Sequence, residues 1–412
     1  MKICILGCGA EGSGLAGLLA KETDVEELIL ADVNEAGAMA ALDRVRSLGT
    51  GVKAEARKAD GTKREDMARV AAGMDIIYNA SVPITNIPTM QACLDVGAHY
   101  LDMLSYPFKV PGVPPLETID AQLELDDQFK EAGLTAVINV GVAPGWTDIA
   151  ARHMLEQFDT VDTVMVRWAD WYESSELVTS FNPLVTMAIT LPQPVCWDSG
   201  KVKEVDLYES KEDYEWPEPL GTMSLYSGAF DSEVRTIPEF AGKATGRSIG
   251  HVEVKSGLRV GQWSNSEELW VEALRRQALK HPTEKVTANL LELLGESFVE
   301  PADIRELYDK GIVTDGAFGA SVEVSGTQGG RRVCHTMYNV MTLKEAMEHI
   351  PWANHMVYST IGGVPIQIVL MLGRGQIKRT GVIGAGSLDT YDEILKGVED
   401  RGHRLSEKKL WS

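Results

Sequence analysis

The chain has 412 residues, which exceeds one ordinary domain core and is sufficient for two domains. Apolar residues make up 44% and charged residues 24%, a balance typical of folded proteins and not of disordered chains. Acidic residues outnumber basic ones by 60 to 39, and the resulting net charge of −21 argues against a protein that binds a nucleic-acid backbone.

The first third of the chain alternates short apolar strands with helices. Six strands are predicted, at Lys2–Leu6, Leu28–Ala31, Lys53–Lys58, Asp75–Ala80, His99–Met103 and Leu134–Val140. The predicted helices between them include Ser13–Glu22, Met67–Ala72, Pro88–Val96 and Ile119–Ala132. Such alternation implies right-handed parallel crossovers, so residues 1–140 are expected to form a doubly wound α/β sheet of the Rossmann type.

A second, α+β domain with a mixed sheet is predicted for residues 141–340. Strands are expected at Thr160–Trp168 and Val202–Leu207, and helices at Glu267–Leu279 and Thr287–Leu294. Two further strands, Ala320–Val324 and Arg332–Val340, flank the turn sequence Ser325–Gly330 and predict an antiparallel hairpin. The C-terminal segment, residues 341–412, carries helices at Met356–Gly373 and Thr390–Arg401, and we expect it to pack back on the first domain.

Neither an export signal nor a membrane span is apparent. The N-terminus runs directly into a strand, and the apolar stretch Val364–Leu372 is too short to cross a bilayer. The five cysteines are odd in number, scattered and without a CxxC pair, which indicates a reducing compartment. We therefore expect a soluble cytoplasmic protein.

The first strand leads into a G-x-G-x-x-G motif that opens the first helix. Gly7 permits the tight turn, Gly9 lets the backbone approach a pyrophosphate, and Gly12 lets the helix pack closely on the strand. The N-terminus of that helix attracts phosphates. Asp32 ends the next strand, twenty positions after Gly12, where it would accept hydrogen bonds from the adenosine ribose. The motif in this context predicts dinucleotide binding.

The full predicted cofactor set adds residues at the next strand ends. It consists of Gly7, Gly9, Ala10, Glu11, Gly12, Asp32, Asp60, Ala80 and Ser81. Asp60 would contact the adenine edge or, equally, serve as a surface turn residue, and the small Ala80 and Ser81 would leave room for the nicotinamide ribose.

The cofactor is expected to be NAD rather than NADP. Asp32 would repel an adenosine 2′-phosphate, and Arg44 lies about three turns along the following helix. The nearest other cations are Lys58 and Lys63, after the third strand.

Eight segments resemble those of one enzyme superfamily. They are Ile3–Gly12, Met74–Pro83, Ala98–Asp102, Lys130–Leu134, Gly141–Asp148, Phe181–Pro183, Gly362–Pro365 and Arg374–Val382. Together they resemble the saccharopine dehydrogenase superfamily, meaning the saccharopine reductase, lysine 6-dehydrogenase and carboxynorspermidine dehydrogenase group. Ala143 before Pro-Gly is similar to lysine 6-dehydrogenase-like members, whereas Phe181–Pro183 is similar to the carboxynorspermidine branch, so the substrate stays open.

The resemblance implies an active site in the cleft between the two domains, and a homodimer formed through the second sheet. A hydride would move to or from a carbon bonded to nitrogen. Making or hydrolysing the imine requires acid–base groups at the carboxyl ends of the parallel strands. Asp102 and Tyr106 are the candidate catalytic residues, with a loop cap and core packing as their alternative roles.

Substrate contacts are predicted from both domains. The candidates are Asp148, Trp168, Asp170, Glu173, Arg247 and His251, with Arg235 as a further arginine. Carboxylates and tryptophan faces suit a cationic amine, and arginine suits a carboxylate. The alternatives are a helix-dipole role for Asp148, aromatic packing, and surface salt bridges. The histidines show no metal-ligand spacing, so no metal is expected.

The sequence thus predicts an NAD-dependent oxidoreductase acting on an amino acid or a secondary amine derived from one. Two alternatives remain open. One is the reductive condensation of an amine with an aldehyde or keto acid, and the other is a non-catalytic regulator that senses dinucleotide.

Overall fold

The computed structural model describes residues 1–106, 118–181, 194–207, 209–228, 231–280, 294–299 and 304–411. The chain divides into two compact units. The first unit consists of Met1–Thr160, Asp231–Ser248 and Thr360–Gly402, and the second of Val161–Phe230, Ile249–Ser359 and His403–Ser412. These bounds differ from those expected at residues 140 and 340, because the chain crosses between the units five times. The predicted helix Thr287–Leu294 and residues 182 and 183 of one motif lie outside the described residues, apart from Leu294.

The described strands are numbered in chain order. They are β1 (Lys2–Leu6), β2 (Glu27–Asp32), β3 (Lys53–Lys58), β4 (Ile76–Asn79), β5 (His99–Asp102), β6 (Thr135–Ile138), β7 (Thr160–Ser174), β8 (Val195–Asp198), β9 (Lys201–Glu204), β10 (Glu212–Glu215), β11 (Thr222–Ser227), β12 (Ile249–Val260), β13 (Trp263–Ser264), β14 (Val313–Gln328), β15 (Arg331–Thr342), β16 (Gly381–Gly384) and β17 (Arg404–Trp411).

The described α-helices are numbered in the same way. They are α1 (Ala10–Leu19), α2 (Glu35–Ser47), α3 (Arg64–Val70), α4 (Asn86–Val96), α5 (Ile119–Leu123), α6 (Asp126–Glu131), α7 (Trp146–Leu155), α8 (Glu233–Thr236), α9 (Lys243–Thr245), α10 (Asn265–Lys280), α11 (Ile304–Asp309), α12 (Leu343–His349), α13 (His355–Ile361), α14 (Val364–Gly373) and α15 (Tyr391–Glu399). A π-helical turn, Ile237–Gly242, joins α8 to α9.

The first unit contains a seven-stranded parallel sheet in the order β16-β6-β5-β4-β1-β2-β3. This confirms the predicted Rossmann-like α/β fold. Strand order reverses between β1 and β4, which is where such sheets bind ligands, at the carboxyl ends of the strands. The seventh strand, β16, was not predicted, because four residues bounded by glycines carry too little periodicity.

The second unit contains a mixed sheet in the order β10-β11-β12-β7-β14-β15-β17, with β8, β9 and β13 paired outside this path. β7 and β12 run parallel, whereas β14 and β15 form the predicted antiparallel hairpin. Gly329 and Gly330 turn that hairpin with φ values of +58° and +74°. β17 pairs with β15, so the last residues of the chain join this second sheet rather than the first unit.

One helical stretch, His355–Gly373, is apolar and long enough to cross a membrane by length and composition. However, 83% of its most apolar window is buried inside the protein, as in a core helix. It comprises α13 and α14, and the shorter segment Val364–Leu372 considered above is only its second half.

Candidate active site

The turn between β1 and α1 forms an open cradle at the carboxyl edge of the first sheet. Gly7 has a φ of +88°, and a Cβ there would lie 2.8 Å from the carbonyl oxygen of Ala80. A Cβ on Gly12 would lie 1.8 Å from the Gly7 oxygen, so only glycine lets α1 approach β1 in this way. A Cβ on Gly9 would meet no heavy atom within 4 Å, so the space beside this residue is open.

This cradle fits the diphosphate of a dinucleotide. α1 begins at Ala10, directly after Gly9, and no side chain caps its first turn. The N–H groups of that turn and the partial positive charge of the helix end can therefore receive phosphate oxygens. Glu11, the second residue of α1, is partly exposed, but its Oε2 atom is buried.

Asp32 ends β2 beside the glycine turn, and backbone groups hold its carboxylate in place. Oδ2 accepts a hydrogen bond from Cys8 N at 2.7 Å, and Oδ1 accepts one from Asn34 N at 2.8 Å. Each oxygen keeps a lone pair for a ribose hydroxyl. Lys58 is the Cα partner of Asp32 in the register of β2 and β3, and its side chain is exposed. One of the two candidate cations is therefore adjacent to the predicted ribose site.

The turns that follow β3 and β4 are closed by their own polar groups. The Asp60 carboxylate accepts a hydrogen bond from the Thr62 hydroxyl at 2.6 Å and pairs with Lys63 at 2.9 Å. These contacts, that with Thr62 first, lower the pKa of Asp60 to about 2. Ser81 N donates to Asn79 Oδ1 at 3.1 Å. Asp60 thus has the geometry of a turn residue, and Lys63 is engaged by it.

Asp102 is buried at the end of β5, with 1% of its surface exposed. Oδ1 accepts a hydrogen bond from Asn139 N at 2.8 Å, and Oδ2 accepts one from the side-chain amide of Gln122. Burial raises the pKa of this carboxyl to about 7, although its hydrogen bonds oppose the shift. Both oxygens are engaged, so Asp102 ties β5, the end of β6 and α5 together.

The Asn139 side chain extends this network toward the loop after β5. Its Nδ2 donates to Ser105 Oγ at 2.7 Å, and Ser105 N donates back to Asn139 Oδ1 at 3.0 Å. The Ser232 hydroxyl donates to Ser105 O at 2.6 Å. Tyr106 follows and is partly exposed, with its carbonyl accepting from Ile119 N at 3.0 Å. Asn139 was not identified as a site residue from the sequence, although it directly follows β6 and so lies at the carboxyl end of a parallel strand.

Asp148 lies at the start of α7 and is 1% exposed. Its Oδ2 accepts a hydrogen bond from Gly145 N at 3.1 Å, and burial raises its pKa to about 6. Glu233, which is 0% exposed, accepts a hydrogen bond from the Thr147 hydroxyl at 2.9 Å. Burial, followed by the nearby Asp231 and Asp148 carboxylates, raises the pKa of Glu233. Nothing in the sequence distinguished Glu233 from the many exposed acidic residues.

In the second unit, Asp170 belongs to a buried network within β7, which continues to Ser174 instead of ending at Trp168 as predicted. Its Oδ1 lies 2.7 Å from His355 Nε2, and its Oδ2 accepts a hydrogen bond from the Ser180 hydroxyl at 2.8 Å. The Tyr172 hydroxyl lies 2.9 Å from the same Ser180 oxygen. Asp170 and His355 are 5% and 0% exposed, so this carboxylate is committed to internal contacts.

The other predicted substrate residues are dispersed. Trp168 is 7% exposed and stacks on Phe318 at a centroid distance of 6.4 Å, whereas Glu173 is exposed. Arg235 and Arg247 belong to the first unit and His251 to the second. Arg235 pairs with Asp120 at 2.5 Å, and His251 Nε2 lies 3.2 Å from a Glu253 carboxylate oxygen. Within the described part of the chain, no group of three His, Cys, Asp or Glu side chains could hold a metal.

Residues 3–137 match the family described as the saccharopine dehydrogenase NADP binding domain. This match lies within the first compact unit and covers the strands β1 to β5 and most of β6. The predicted resemblance to the saccharopine dehydrogenase superfamily is confirmed, and so is a dinucleotide as the class of cofactor.

Relatives of known name extend the resemblance along the chain. Carboxynorspermidine synthase of Vibrio cholerae is 26% identical over 252 residues, which cover 58% of this chain and 60% of that protein. Carboxyaminopropylagmatine dehydrogenase of Synechocystis is 23% identical over 97% of this chain and 96% of its own length. The match to the first of these relatives thus spans less than two thirds of its length, whereas the match to the second is nearly complete.

Solved structures confirm the fold over nearly the whole chain. Saccharopine dehydrogenase (L-Glu forming) from Saccharomyces cerevisiae superposes with a TM-score of 0.69 at 14% identity, covering 99% of both chains. Homospermidine synthase from Legionella pneumophila, in complex with NAD, also gives a TM-score of 0.69, at 13% identity, over 99% of this chain and 91% of its own. At such identities these likenesses concern the fold alone.

Proposed function

We propose that this protein is an NAD-dependent oxidoreductase that transfers a hydride at a C–N bond of an amino acid or of a secondary amine derived from one. The observation that carries this proposal is the open glycine cradle of the first unit, which lies in a domain of the saccharopine dehydrogenase type. The nearly full-length similarity to a named dehydrogenase supports an enzyme rather than a binding module.

The residues of the first unit have distinct tasks in this proposal. Gly9 and the first turn of α1 bind the diphosphate, and Asp32 orients the adenosine ribose. A bound nicotinamide supplies the hydride acceptor or donor. Asp102 and Asn139 act as positioning residues, because they hold the loops after β5 and β6 at the carboxyl edge of the sheet. Tyr106 stays the candidate for direct acid–base work.

NAD is proposed over NADP because Asp32 is fixed by two backbone N–H groups and cannot turn away from a 2′-phosphate without losing them. The family name and the exposed Lys58 on the adjacent strand support the opposite preference. The carboxylate of Asp32, which is fixed beside the glycine turn, is the stronger effect, because the side chain of Lys58 is exposed and its charge is screened by solvent.

A specific observation favours reductive condensation as the second candidate. The matched relatives are named carboxynorspermidine synthase and carboxyaminopropylagmatine dehydrogenase, and both names denote a carboxylated polyamine. In this alternative, the protein joins an amine to an aldehyde or keto acid and reduces the imine. The regulator alternative requires the same dinucleotide cradle but no turnover.

Product analysis separates these candidates. The purified protein is incubated with oxidised cofactor and single amino acids or secondary amines, and separately with reduced cofactor and pairs of an amine with an aldehyde or keto acid. Mass spectrometry of the first set should show a product two hydrogens lighter or its hydrolysis fragments. A new secondary amine in the second set alone would select the condensation reading, and no product in either would select the regulator.

We further propose that the protein works as a cytoplasmic homodimer on a small-molecule substrate, without nucleic acid or membrane. The strongly negative charge supports the exclusion of nucleic acid. The dimer is supported by the edge strand β17, whose Leu410 and Trp411 are 56% and 46% exposed.

A further inference from the structure

The glycine cradle contains an acidic residue at a position where a negative charge opposes its proposed ligand. Glu11 is the second residue of α1, and the first turn of this helix is the proposed seat of the diphosphate. An ionised carboxylate on this turn would repel the diphosphate, because both are anions and the Glu11 Oε2 atom is shielded from solvent. A neutral carboxylic acid would not.

The surroundings of Glu11 favour the neutral form. The hydroxyl of Thr360 hydrogen bonds to the side chain, and the Oε2 atom is buried without a hydrogen-bond partner. Among the described ion pairs, none involves Glu11. Burial therefore raises the pKa of Glu11 well above its ordinary value, against the opposing effect of the Thr360 hydrogen bond.

The titratable groups around this helix include two uncharged side chains and one arginine, and that arginine donates to Ser13 on α1 rather than to Glu11. Tyr78 on β4 is fully buried, and its hydroxyl donates to Val140 O at 3.2 Å. The Cys8 thiol lies in the turn itself, and burial raises its pKa. Arg44 on α2 reaches α1 at Ser13 Oγ, at 3.3 Å. α14, which also packs on α1, carries no Asp, Glu, His, Lys or Arg within Val364–Gly373.

We propose that dinucleotide binding to this protein is coupled to the protonation of Glu11, which must be neutral while the diphosphate occupies the cradle. This rests on the proposed function, because it takes the dinucleotide as the ligand. As pH rises, Glu11 ionises in the protein without ligand. Glu11 must then take up one proton from solvent when the dinucleotide binds, so the affinity falls. For a single linked proton the dissociation constant rises by about tenfold per pH unit above the pKa of the free protein.

Binding measurements test this directly. Dissociation constants for NADH and for ADP-ribose, which keeps the diphosphate but lacks nicotinamide, are measured by calorimetry between pH 6 and 9. The same titrations in two buffers of different ionisation enthalpy report proton uptake. For the wild type, we expect the affinity for both ligands to fall as pH rises, with uptake of up to one proton per site on binding. For Glu11→Gln, we expect an affinity that does not depend on pH and no proton uptake.

Glu35→Gln provides a matched control, because Glu35 is an exposed carboxylate in the first turn of α2. This variant should keep the wild-type pH profile. The inference is overturned if Glu11→Gln and wild type show parallel profiles, or if the pH effect appears with NADH and not with ADP-ribose. Failure of the wild type to bind any of NAD, NADH, NADPH or ADP-ribose at every pH would instead overturn the proposed function, and this inference with it.

Discussion

Asp148 and Glu233 are carboxyl groups that the first unit buries almost completely, at 1% and 0% exposure. Burial favours the protonated form of both, so their pKa values are raised. Between the ordinary pKa and the raised one, the folded state binds more protons than the unfolded state. Stability therefore falls as pH rises through this window, which for Asp148 extends from about 4 to about 6.

Asp148→Asn should remove this penalty while keeping an acceptor for Gly145 N. A pKa raised from 3.8 to about 6 corresponds to roughly 3 kcal/mol at most, so the variant should gain Tm relative to wild type as pH rises from 4 to 7. Thermal unfolding at several pH values measures the difference, and Asp127→Asn, at an exposed carboxylate, serves as control. A difference in Tm between Asp148→Asn and wild type that stays constant with pH would contradict the burial argument.

Cofactor preference is a second property set by single residues. Asp32→Ser removes the fixed carboxylate. The ratio of kcat/KM with NAD to kcat/KM with NADP should therefore fall by about tenfold or more. Lys58→Ala should lower use of NADP and leave NAD unchanged, because Lys58 is on the adjacent strand.

Lys63→Ala is the matched control, since Lys63 pairs with Asp60. A wild-type enzyme that prefers NADP tenfold, an advantage of about 1.4 kcal/mol, would contradict the assignment of NAD.

At the scale of elements, the glycine turn allows stability and binding to be separated. A Cβ at position 12 would lie 1.8 Å from the Gly7 oxygen, so Gly12→Ala should displace α1 and lower both stability and cofactor affinity. A Cβ on Gly9 meets no protein atom within 4 Å, so Gly9→Ala should leave Tm within a few degrees of wild type.

The same Gly9→Ala variant should nevertheless weaken dinucleotide binding, because the methyl group enters the space open to the diphosphate. Thermal unfolding and calorimetric titration of both variants measure the two effects. Gly49→Ala, at an exposed glycine with no neighbour within 4 Å, controls for backbone strain, since Gly49 has a φ of +65°. Undiminished binding by Gly9→Ala would show that the diphosphate does not sit in this turn.

The alternation of strands and helices could be predicted because it depends on local patterns. β3 has the bounds predicted from sequence, Lys53–Lys58, and the glycine motif placed the turn between β1 and α1. Helix bounds were less accurate. α1 begins at Ala10 rather than Ser13, and the single helix expected over Ile119–Ala132 is divided into α5 and α6.

Residues of the candidate site could be predicted only where their position at the end of a strand identified them. Asp102 was predicted because it lies at the end of β5. The hydrogen bond that it accepts from Gln122 depends on how α5 packs, and sequence periodicity does not determine this packing. Likewise, Asp170 was chosen for its strand end, whereas its partner His355 lies 185 residues away along the chain. Contacts between distant segments decide whether a polar residue is exposed to a ligand or satisfied internally.

At the scale of the whole molecule, the second sheet presents β17 as an edge among its described strands. An eight-residue edge with exposed Leu410 and Trp411 favours pairing with another chain. We expect light scattering at micromolar concentration to give twice the mass of one chain, and Leu410→Lys with Trp411→Lys to shift the protein toward monomer. A monomeric wild type would contradict the homodimer.

The central claim, hydride transfer at a C–N bond, is tested most directly by the absorbance of the reduced nicotinamide. Initial rates are recorded with NAD and a panel of amino acids and secondary amines, and with NADH and pairs of amines with aldehydes or keto acids. The account predicts cofactor-dependent turnover of at least one such substrate, lost in Gly9→Ala. Tight dinucleotide binding without turnover of any of these substrates in either direction would contradict it.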